Sequence, residues 1–113
     1  MRRVVVTGMG VVASIGNNLD EVAKSLRESR SGIEFIPEMR ELGYWCQVGG
    51  RVKGLDVTRI GKRPLQSMSD VARFAAVAAA EAIDDAKFPL DDLKSPRVAV
   101  VVGTSFGGVN EAA

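Results

Sequence analysis

Residues 67–86, SMSDVARFAAVAAAEAIDDA, decide the fold of this chain. At 3.6 residues per turn, Asp70, Arg73, Glu81 and Asp84 fall on one narrow charged stripe, which Val77 interrupts. Most other positions are apolar and many are alanine, so little side chain separates this helix from its neighbour. The pattern predicts a helix that lies close against a larger apolar surface, which we expect to be a sheet.

The ends of this helix are also predicted from local residue chemistry. Ser67 is a candidate N-cap, and Asp70 follows at nearly the spacing of a capping box. Pro89 disfavours helical geometry at Phe88, so we expect the helix to end before this pair.

Two valine-rich segments are the predicted strands of that sheet. Residues 3–8 read RVVVTG, and residues 97–108 read RVAVVVGTSFGG. Because both are apolar on both faces, they are typical of the buried middle of a parallel sheet. A two-strand sheet of this kind leaves faces and edges open, so we expect the chain to be part of a larger protein.

Between these segments, one short helix and one long irregular stretch are expected. Asn17 or Asn18 caps the helix, Glu21 stands at capping-box spacing from Asn18, and Ser31-Gly32 closes it. Its core stripe has helical spacing and consists of Leu19, Val22, Ala23 and Leu26. Residues 33–62 carry many glycines and predict an irregular excursion with one short strand at 47–53. The order β-α-loop-α-β predicts an α/β fold with a parallel sheet and right-handed crossovers.

The amino-acid composition limits the classes of function that this chain can have. The 113 residues are 46% hydrophobic and 26% charged, which is typical of a globular protein. The net charge is only +1, so the overall charge does not indicate binding to nucleic acid or to a membrane. No apolar run approaches the roughly 20 residues that cross a bilayer, and we identify no signal peptide. The one cysteine excludes an internal disulfide and is typical of a cytosolic protein, and histidine is absent.

Two glycine motifs follow the predicted strands. Gly8-Met9-Gly10 begins a G-x-G-x-x-A pattern that can indicate dinucleotide binding, but Val11 and Val12 continue the β-branched run where a Rossmann helix would open. The second motif, residues 103–108, is either a tight turn or one wall of a ligand pocket. A ring at Phe106 between glycines favours the pocket.

Two further features carry weaker signals. Cys46 has no histidine to activate it and adjoins Trp45, so an inert, at least partly buried thiol is expected. Lys62 and Arg63, beside Arg59, form a small cationic patch that is either solvated surface or a docking site.

Four segments together resemble the β-ketoacyl-acyl carrier protein synthases, in order and spacing: RVVVTGMGVVASIGNN, SLRESRSGI, MSDVARFA and VVVGTSFGG. The resemblance covers essentially all 113 residues, and the combination is specific although each motif alone is weak. It implies a thiolase-like fold of α-β-α-β-α layers, of which residues 1–113 would be the opening part of the N-terminal half.

The resemblance also implies a function and its sites. The family condenses an acyl thioester with malonyl-carrier protein by decarboxylative Claisen chemistry, in fatty acid or polyketide synthesis, as a cytoplasmic homodimer without a metal or other cofactor. Its catalytic cysteine and histidines would lie beyond Ala113, so Cys46 is not the nucleophile and residues 1–113 alone should be inactive.

Four residues take roles from the resemblance. Phe106 and Gly107 would line the acyl-chain tunnel, whereas Lys62 and Arg63 would dock the acidic carrier protein; Gln66 departs from a third basic position. The alternatives are a ketosynthase-like partner subunit without a nucleophile and a Rossmann-type dinucleotide-binding domain.

Overall fold

A computed structural model describes residues 1–105 and residue 107 of the chain. It divides into two compact units: Val11–Asp56, here called the hairpin unit, and Met1–Gly10 with Val57–Ala113, here called the α4 unit. The elements in chain order are α1 (Leu19–Arg27), β1 (Ile33–Phe35), α2 (Pro37–Glu41), β2 (Val48–Gly50), α3 (Lys62–Leu65), α4 (Asp70–Asp85) and a 3₁₀ helix (Leu90–Lys94).

Helix α4 is the predicted long helix, and its N-cap is Ser69 rather than Ser67. The Ser69 hydroxyl oxygen accepts a hydrogen bond from the Ala72 amide at 3.3 Å. The Ser67 hydroxyl instead donates to the Pro64 carbonyl at 3.1 Å, because it still belongs to the turn after α3. Both serines precede an acidic residue and an apolar run, so spacing alone did not separate them.

Helix α4 ends before Pro89, as predicted, but the structure that ends it is a left-handed residue at Lys87. The Lys87 amide donates to the Asp84 carbonyl at 3.0 Å, and the Phe88 amide donates to the Ile83 carbonyl at 3.1 Å. With Lys87 at a φ of 50°, these bonds form a Schellman motif. Pro89 then caps the following 3₁₀ helix.

The alanine face of α4 packs directly on the chain at Gly8 and Gly10. A Cβ at Gly8 would lie 2.5 Å from the Ala86 amide nitrogen, and one at Gly10 would overlap the Ala78 carbonyl oxygen. The Met9 amide between them donates to the Asp85 carboxylate at 3.0 Å. The predicted close approach of α4 to its neighbour is therefore confirmed, and the glycines permit it.

The prediction that residues 3–8 and 97–108 supply a parallel sheet is wrong for the described residues, 1–105 and 107. Neither segment has a ladder partner, and the pairing in residues 1–105 and 107 is antiparallel, between β1 and β2 together with an isolated bridge from Ala13 to Gly16. The valine side chains are open to solvent, with Val4 94% and Val101 92% exposed. Strand-forming side chains do not make a strand without a second backbone to bond.

In the hairpin unit, α1 has the predicted cap. The Asn18 side chain accepts the Glu21 amide at 2.9 Å, and the Glu21 carboxylate accepts the Asn17 amide at 2.8 Å. Its other end differs from prediction, because Ser29 at a φ of 53° forms the terminating Schellman motif before Gly32 is reached. Ser25, only 7% exposed, anchors the helix by donating to the Ile15 carbonyl at 2.7 Å.

The stretch predicted to be irregular contains a hairpin. β2 lies within the predicted strand 47–53, and β1, which was not predicted, pairs with it antiparallel from Ile33 opposite Gly50 to Phe35 opposite Val48. Ile36, at 8% exposed, is the buried apolar side chain among the described residues. Gly49 makes room for it, since a Cβ there would lie 2.8 Å from Ile36 Cδ1.

Candidate functional site

The cationic residues predicted as a docking patch lie on the short helix α3. The Leu65 amide donates to the Gly61 carbonyl at 3.1 Å, and the Ser67 amide to the Pro64 carbonyl at 3.0 Å, so one helical turn leads directly toward α4. Lys62 and Arg63 are both exposed on this turn. Their charges are therefore available to a partner.

Beside α3 lies an open cleft of about 380 Å³, whose lining surface is more apolar than polar although it includes two cationic side chains. Its lining residues are Lys62, Leu65, Gln66 and Arg73. The first three come from α3 and its C-cap, whereas Arg73 comes from the first turn of α4. The structure thus brings Lys62 together with Arg73, which the sequence pattern placed only on the charged stripe of α4.

Arg73 has an unequal set of hydrogen bonds. Its Nη1 donates to Asp70 Oδ1 at 3.1 Å, and its Nη2 makes a long bond of 3.4 Å to the Leu65 carbonyl. Its Nε is shielded from solvent and has no hydrogen-bond partner. The side chain as a whole is 37% exposed, so the outer part of the guanidinium reaches the surface.

Arg59, the third member of the predicted cationic patch, is engaged elsewhere. It donates to both carboxylate oxygens of Asp84, at 2.5 and 3.4 Å. This hydrogen-bonded pair raises the pKa of Arg59 and holds the pKa of Asp84 below its ordinary value. Because Asp84 neutralises Arg59, the cations of the cleft region are Lys62, Arg63 and Arg73.

Of the two predicted tunnel residues, Gly107 is described and Phe106 lies outside the described residues. A Cβ at Gly107 would lie 2.9 Å from Thr104 Oγ1 and 3.3 Å from Val71 Cγ1. Gly107 therefore lies close to Val71, in the first turn of α4.

The structure gives the Gly8-Met9-Gly10 motif a packing role instead of a phosphate-binding one. Both glycines face the backbone of α4, and the amide of Met9 already donates to Asp85. The helix thus fills the space beside both glycines and engages the amide between them. The dinucleotide interpretation finds no support in this geometry.

Cys46 is exposed, contrary to the expectation of a thiol that is at least partly buried. Its Sγ lies 3.6 Å from the Val48 carbonyl oxygen, as a weak donor. Trp45 beside it is fully open to solvent, at 104% of the reference area. In the described part of the chain, no group of three or more candidate ligands could hold a metal ion.

The α4 unit also has an open apolar groove of about 310 Å³. Helix α4 lines it with small side chains, Phe88 and Leu93 contribute larger ones, and both valine segments reach its rim. No helix within residues 1–105 and 107 has the length and apolar character needed to span a membrane.

The whole chain, residues 1–113, matches the family model for the N-terminal domain of beta-ketoacyl synthase. It is 37% identical over 110 residues to 3-oxoacyl-[acyl-carrier-protein] synthase 1 of Haemophilus influenzae, covering 97% of this chain and 27% of that relative. It is 43% identical over 109 residues to the synthase 1 of Escherichia coli, covering 95% of this chain and 27% of the relative. It is 36% identical over 109 residues to synthase 2 of a Synechocystis species, covering 96% of this chain and 26% of that relative.

Proposed function

Because the chain belongs to the beta-ketoacyl synthase family, as a match to its N-terminal domain, we propose that it is part of a 3-oxoacyl-acyl carrier protein synthase. The observation that carries the proposal is the similarity of nearly the whole chain, at 37–43% identity, to synthase 1 of two bacteria. The chain spans about a quarter of the length of these relatives.

The proposed reaction joins two thioesters. An acyl group held as a thioester reacts with malonyl-carrier protein, which loses carbon dioxide; the new carbon–carbon bond forms at the malonyl α-carbon, and the thiolate that held the acyl group leaves. The product is a 3-oxoacyl thioester on the carrier, in fatty acid synthesis. Residues 1–113 contain no histidine, and Cys46 has no activating partner among the described residues, so this segment serves scaffold and recognition.

The finer architecture belongs to the same proposal. We place the chain in a thiolase-like fold of α-β-α-β-α layers, acting as a homodimer in the cytoplasm. The alanine face of α4 and the two solvent-exposed valine segments support such a fold, since both are suited to burial in a sheet layer.

Carrier recognition is the proposed role of Lys62 and Arg63. Both side chains are exposed on α3, and Lys62 lines an open cleft, whereas nearby Arg59 is paired with Asp84. Exposed cations of this kind steer an acidic partner and act mainly on the association rate.

The acyl-chain tunnel is the proposed role of Phe106 and Gly107. The phenyl ring would occupy the space of several methylenes, each of which stabilises binding by about 0.8 kcal/mol when buried. Phe106→Gly should therefore shift the preferred acyl primer toward longer chains. An unchanged primer profile with a lowered melting temperature would assign the ring to core packing instead.

The proposed activity is tested on the protein at its encoded length. Purified protein is mixed with acyl- and malonyl-carrier protein, and 3-oxoacyl-carrier protein is measured by mass spectrometry. We expect product and carbon dioxide in equal amounts from the encoded protein, and none from residues 1–113 alone. Absence of product from the encoded protein, with both thioesters intact, would contradict the proposed enzyme and favour a non-catalytic partner subunit.

The docking role is tested separately. Lys62→Glu with Arg63→Glu should raise KM for carrier-bound substrate and leave KM for a small thioester without carrier unchanged. Lys94→Glu, which changes an exposed cation outside the cleft, is the matched control. Equal losses on both substrates would show that the two residues have a structural role.

A further inference from the structure

The cleft beside α3 contains a cation whose position only the three-dimensional structure shows. Arg73 lies eleven positions after Lys62 in the chain, in a different helix, yet both line the same open cleft. Gln66, the remaining polar lining residue, contributes an uncharged amide. The cleft thus presents two positive charges from two elements, with an amide as the third polar group.

The hydrogen bonds of Arg73 leave part of its guanidinium without a good acceptor. Nη1 donates to Asp70 Oδ1 at 3.1 Å, so this nitrogen has an acceptor. The other edge consists of Nη2, with one long bond of 3.4 Å to the Leu65 carbonyl, and Nε, with no acceptor. An Nε–Nη2 edge is the fork that binds a carboxylate through two parallel hydrogen bonds.

A carboxylate in the cleft would compete with the Leu65 carbonyl for this edge. The exchange would replace one long bond by charge-assisted bonds and give the unpaired Nε an acceptor. Asp70 can retain Nη1 during the exchange, since it bonds the opposite side of the group. Arg73 in its present position is therefore suited to receive an anion.

We propose that Arg73 is a third docking cation, which binds a carboxylate of the acidic carrier protein in the cleft that it shares with Lys62. The inference rests on the proposed docking function and deepens it by naming a residue and its contact. A guanidinium fork binds carboxylate and phosphate alike. We commit to a carboxylate because the proposed partner is an acidic protein, whose negative charges are side-chain carboxylates.

The test measures binding of carrier protein to the protein at its encoded length by surface plasmon resonance, at low and high salt. Arg73→Gln should weaken binding about threefold at low salt, as expected for one partly exposed charge pair, with less effect at high salt. Arg73→Lys keeps the charge but not the fork. Its affinity for carrier protein should therefore lie between that of Arg73→Gln and that of wild type. Lys94→Gln, outside the cleft, is the charge-matched control and should match wild type.

Asp70→Asn separates docking from a structural role for the ion pair. If Arg73 binds the carrier, removing its competing carboxylate should tighten binding. If Arg73 only supports α4, Asp70→Asn should weaken binding as much as Arg73→Gln, and that result would overturn the proposal. Circular dichroism melts confirm that each variant is folded, and a folded Arg73→Lys variant still decides the question if Arg73→Gln does not fold.

The remaining outcomes separate this inference from the docking function. If Lys62→Gln with Arg63→Gln weakens binding while Arg73→Gln matches Lys94→Gln, the docking function stands and the role of Arg73 is refuted. If none of these variants changes binding, both fail. Repeating the titration with carrier that lacks its phosphate-bearing arm tests the ligand: a loss that persists supports a carboxylate, and a loss that disappears refutes it in favour of the phosphate.

Discussion

The hairpin unit pairs two segments of weak strand-forming composition, whereas the α4 unit leaves two segments of strong composition unpaired. In the hairpin unit, Ile33–Phe35 and Val48–Gly50 pair with each other across a short connection that contains α2. In the α4 unit, the valine segments 3–8 and 97–103 have stronger strand-forming composition, yet they remain unpaired and exposed. β-propensity describes a fit to a pleated, half-buried surface, so it has no effect until a partner strand supplies that surface.

The two units also differ in how their helices are held. Helix α1 is anchored by one buried side chain, Ser25, whereas α4 is anchored by backbone contact at Gly8 and Gly10. A side-chain anchor can adjust to a change nearby. Contact between two backbones leaves no atom that can move aside, so the α4 unit should be the more sensitive to small substitutions.

The largest expected effect is that of Gly10→Ala. The new Cβ would overlap the Ala78 carbonyl oxygen, and separating helix and chain should cost more than about 3 kcal/mol of unfolding free energy in urea. Gly103→Ala, whose Cβ would meet nothing within 4 Å, is the matched control and should change stability by less than about 1 kcal/mol. Equal effects of the two would mean that the glycine face does not contact α4.

Gly49→Ala carries the same comparison into the hairpin unit, with a smaller effect. Its Cβ would meet the end of the Ile36 side chain at 2.8 Å, and that side chain can rotate. We expect a loss of about 1 kcal/mol, measured as a shift of the urea midpoint. A loss as large as that of Gly10→Ala would remove the distinction between side-chain and backbone contact.

The helix C-termini give a third, still smaller effect. Each of α1, α2 and α4 ends in a Schellman motif, but only α2 has glycine at the left-handed position, Gly43 at a φ of 74°. Lys87→Gly should stabilise the protein by about 0.5 kcal/mol, because relief of the strain exceeds the entropy that glycine adds to the unfolded chain. Gly43→Ala should destabilise it by about 1 kcal/mol.

Thermal melts of the two variants measure these differences. Ser29→Gly, in the hairpin unit, is a second variant that removes backbone strain at a left-handed residue. A destabilised Lys87→Gly would indicate that the lysine side chain contributes more than its backbone strain costs.

The smallest effect concerns two exposed, doubly hydrogen-bonded ion pairs, Arg59–Asp84 in the α4 unit and Arg51–Glu38 in the hairpin unit. Arg59 lowers the pKa of Asp84, and Arg51 lowers that of Glu38, in each case mainly through side-chain hydrogen bonds. A carboxyl whose pKa is lower in the folded state adds stability above its ordinary pKa and loses it as the pH falls through the folded value.

Asp84→Asn and Glu38→Gln should therefore each lower the melting temperature slightly at pH 7, and the loss should shrink as the pH falls and the two carboxyls become protonated. Screening by 1 M salt should diminish both losses. A large loss from one variant only would show that the two pairs are not equivalent.

Local chemistry made much of the fold predictable. The spacing of Asn18 and Glu21 predicted the cap of α1, and the narrow charged stripe in an otherwise apolar segment predicted α4. The alanine content of α4 even predicted a close neighbour, although not that a glycine segment would be that neighbour. These features depend on residues within a few turns of one another, where sequence spacing and spatial distance agree.

The features that were missed depend on distant contacts or on backbone strain. β1 was missed because it has only three residues, between Gly32 and Pro37, and is too short to show a strand period, although its partner segment was predicted. The left-handed positions Ser29 and Lys87 were missed because neither residue is glycine. In the candidate site, Lys62 and Arg63 followed from the resemblance, but Arg73 did not, since only the packing of α3 beside α4 brings it to the same cleft.

The exposure of Trp45 has a consequence for how this protein is observed in solution. It is the only tryptophan in the chain, and its indole ring is open to water in the folded state. Its fluorescence should accordingly have the red-shifted maximum of a free indole, be quenched readily by acrylamide, and change little when the chain unfolds. The same emission becomes a reporter of whatever covers the connection between α2 and β2, since a bound surface would shift it to shorter wavelength.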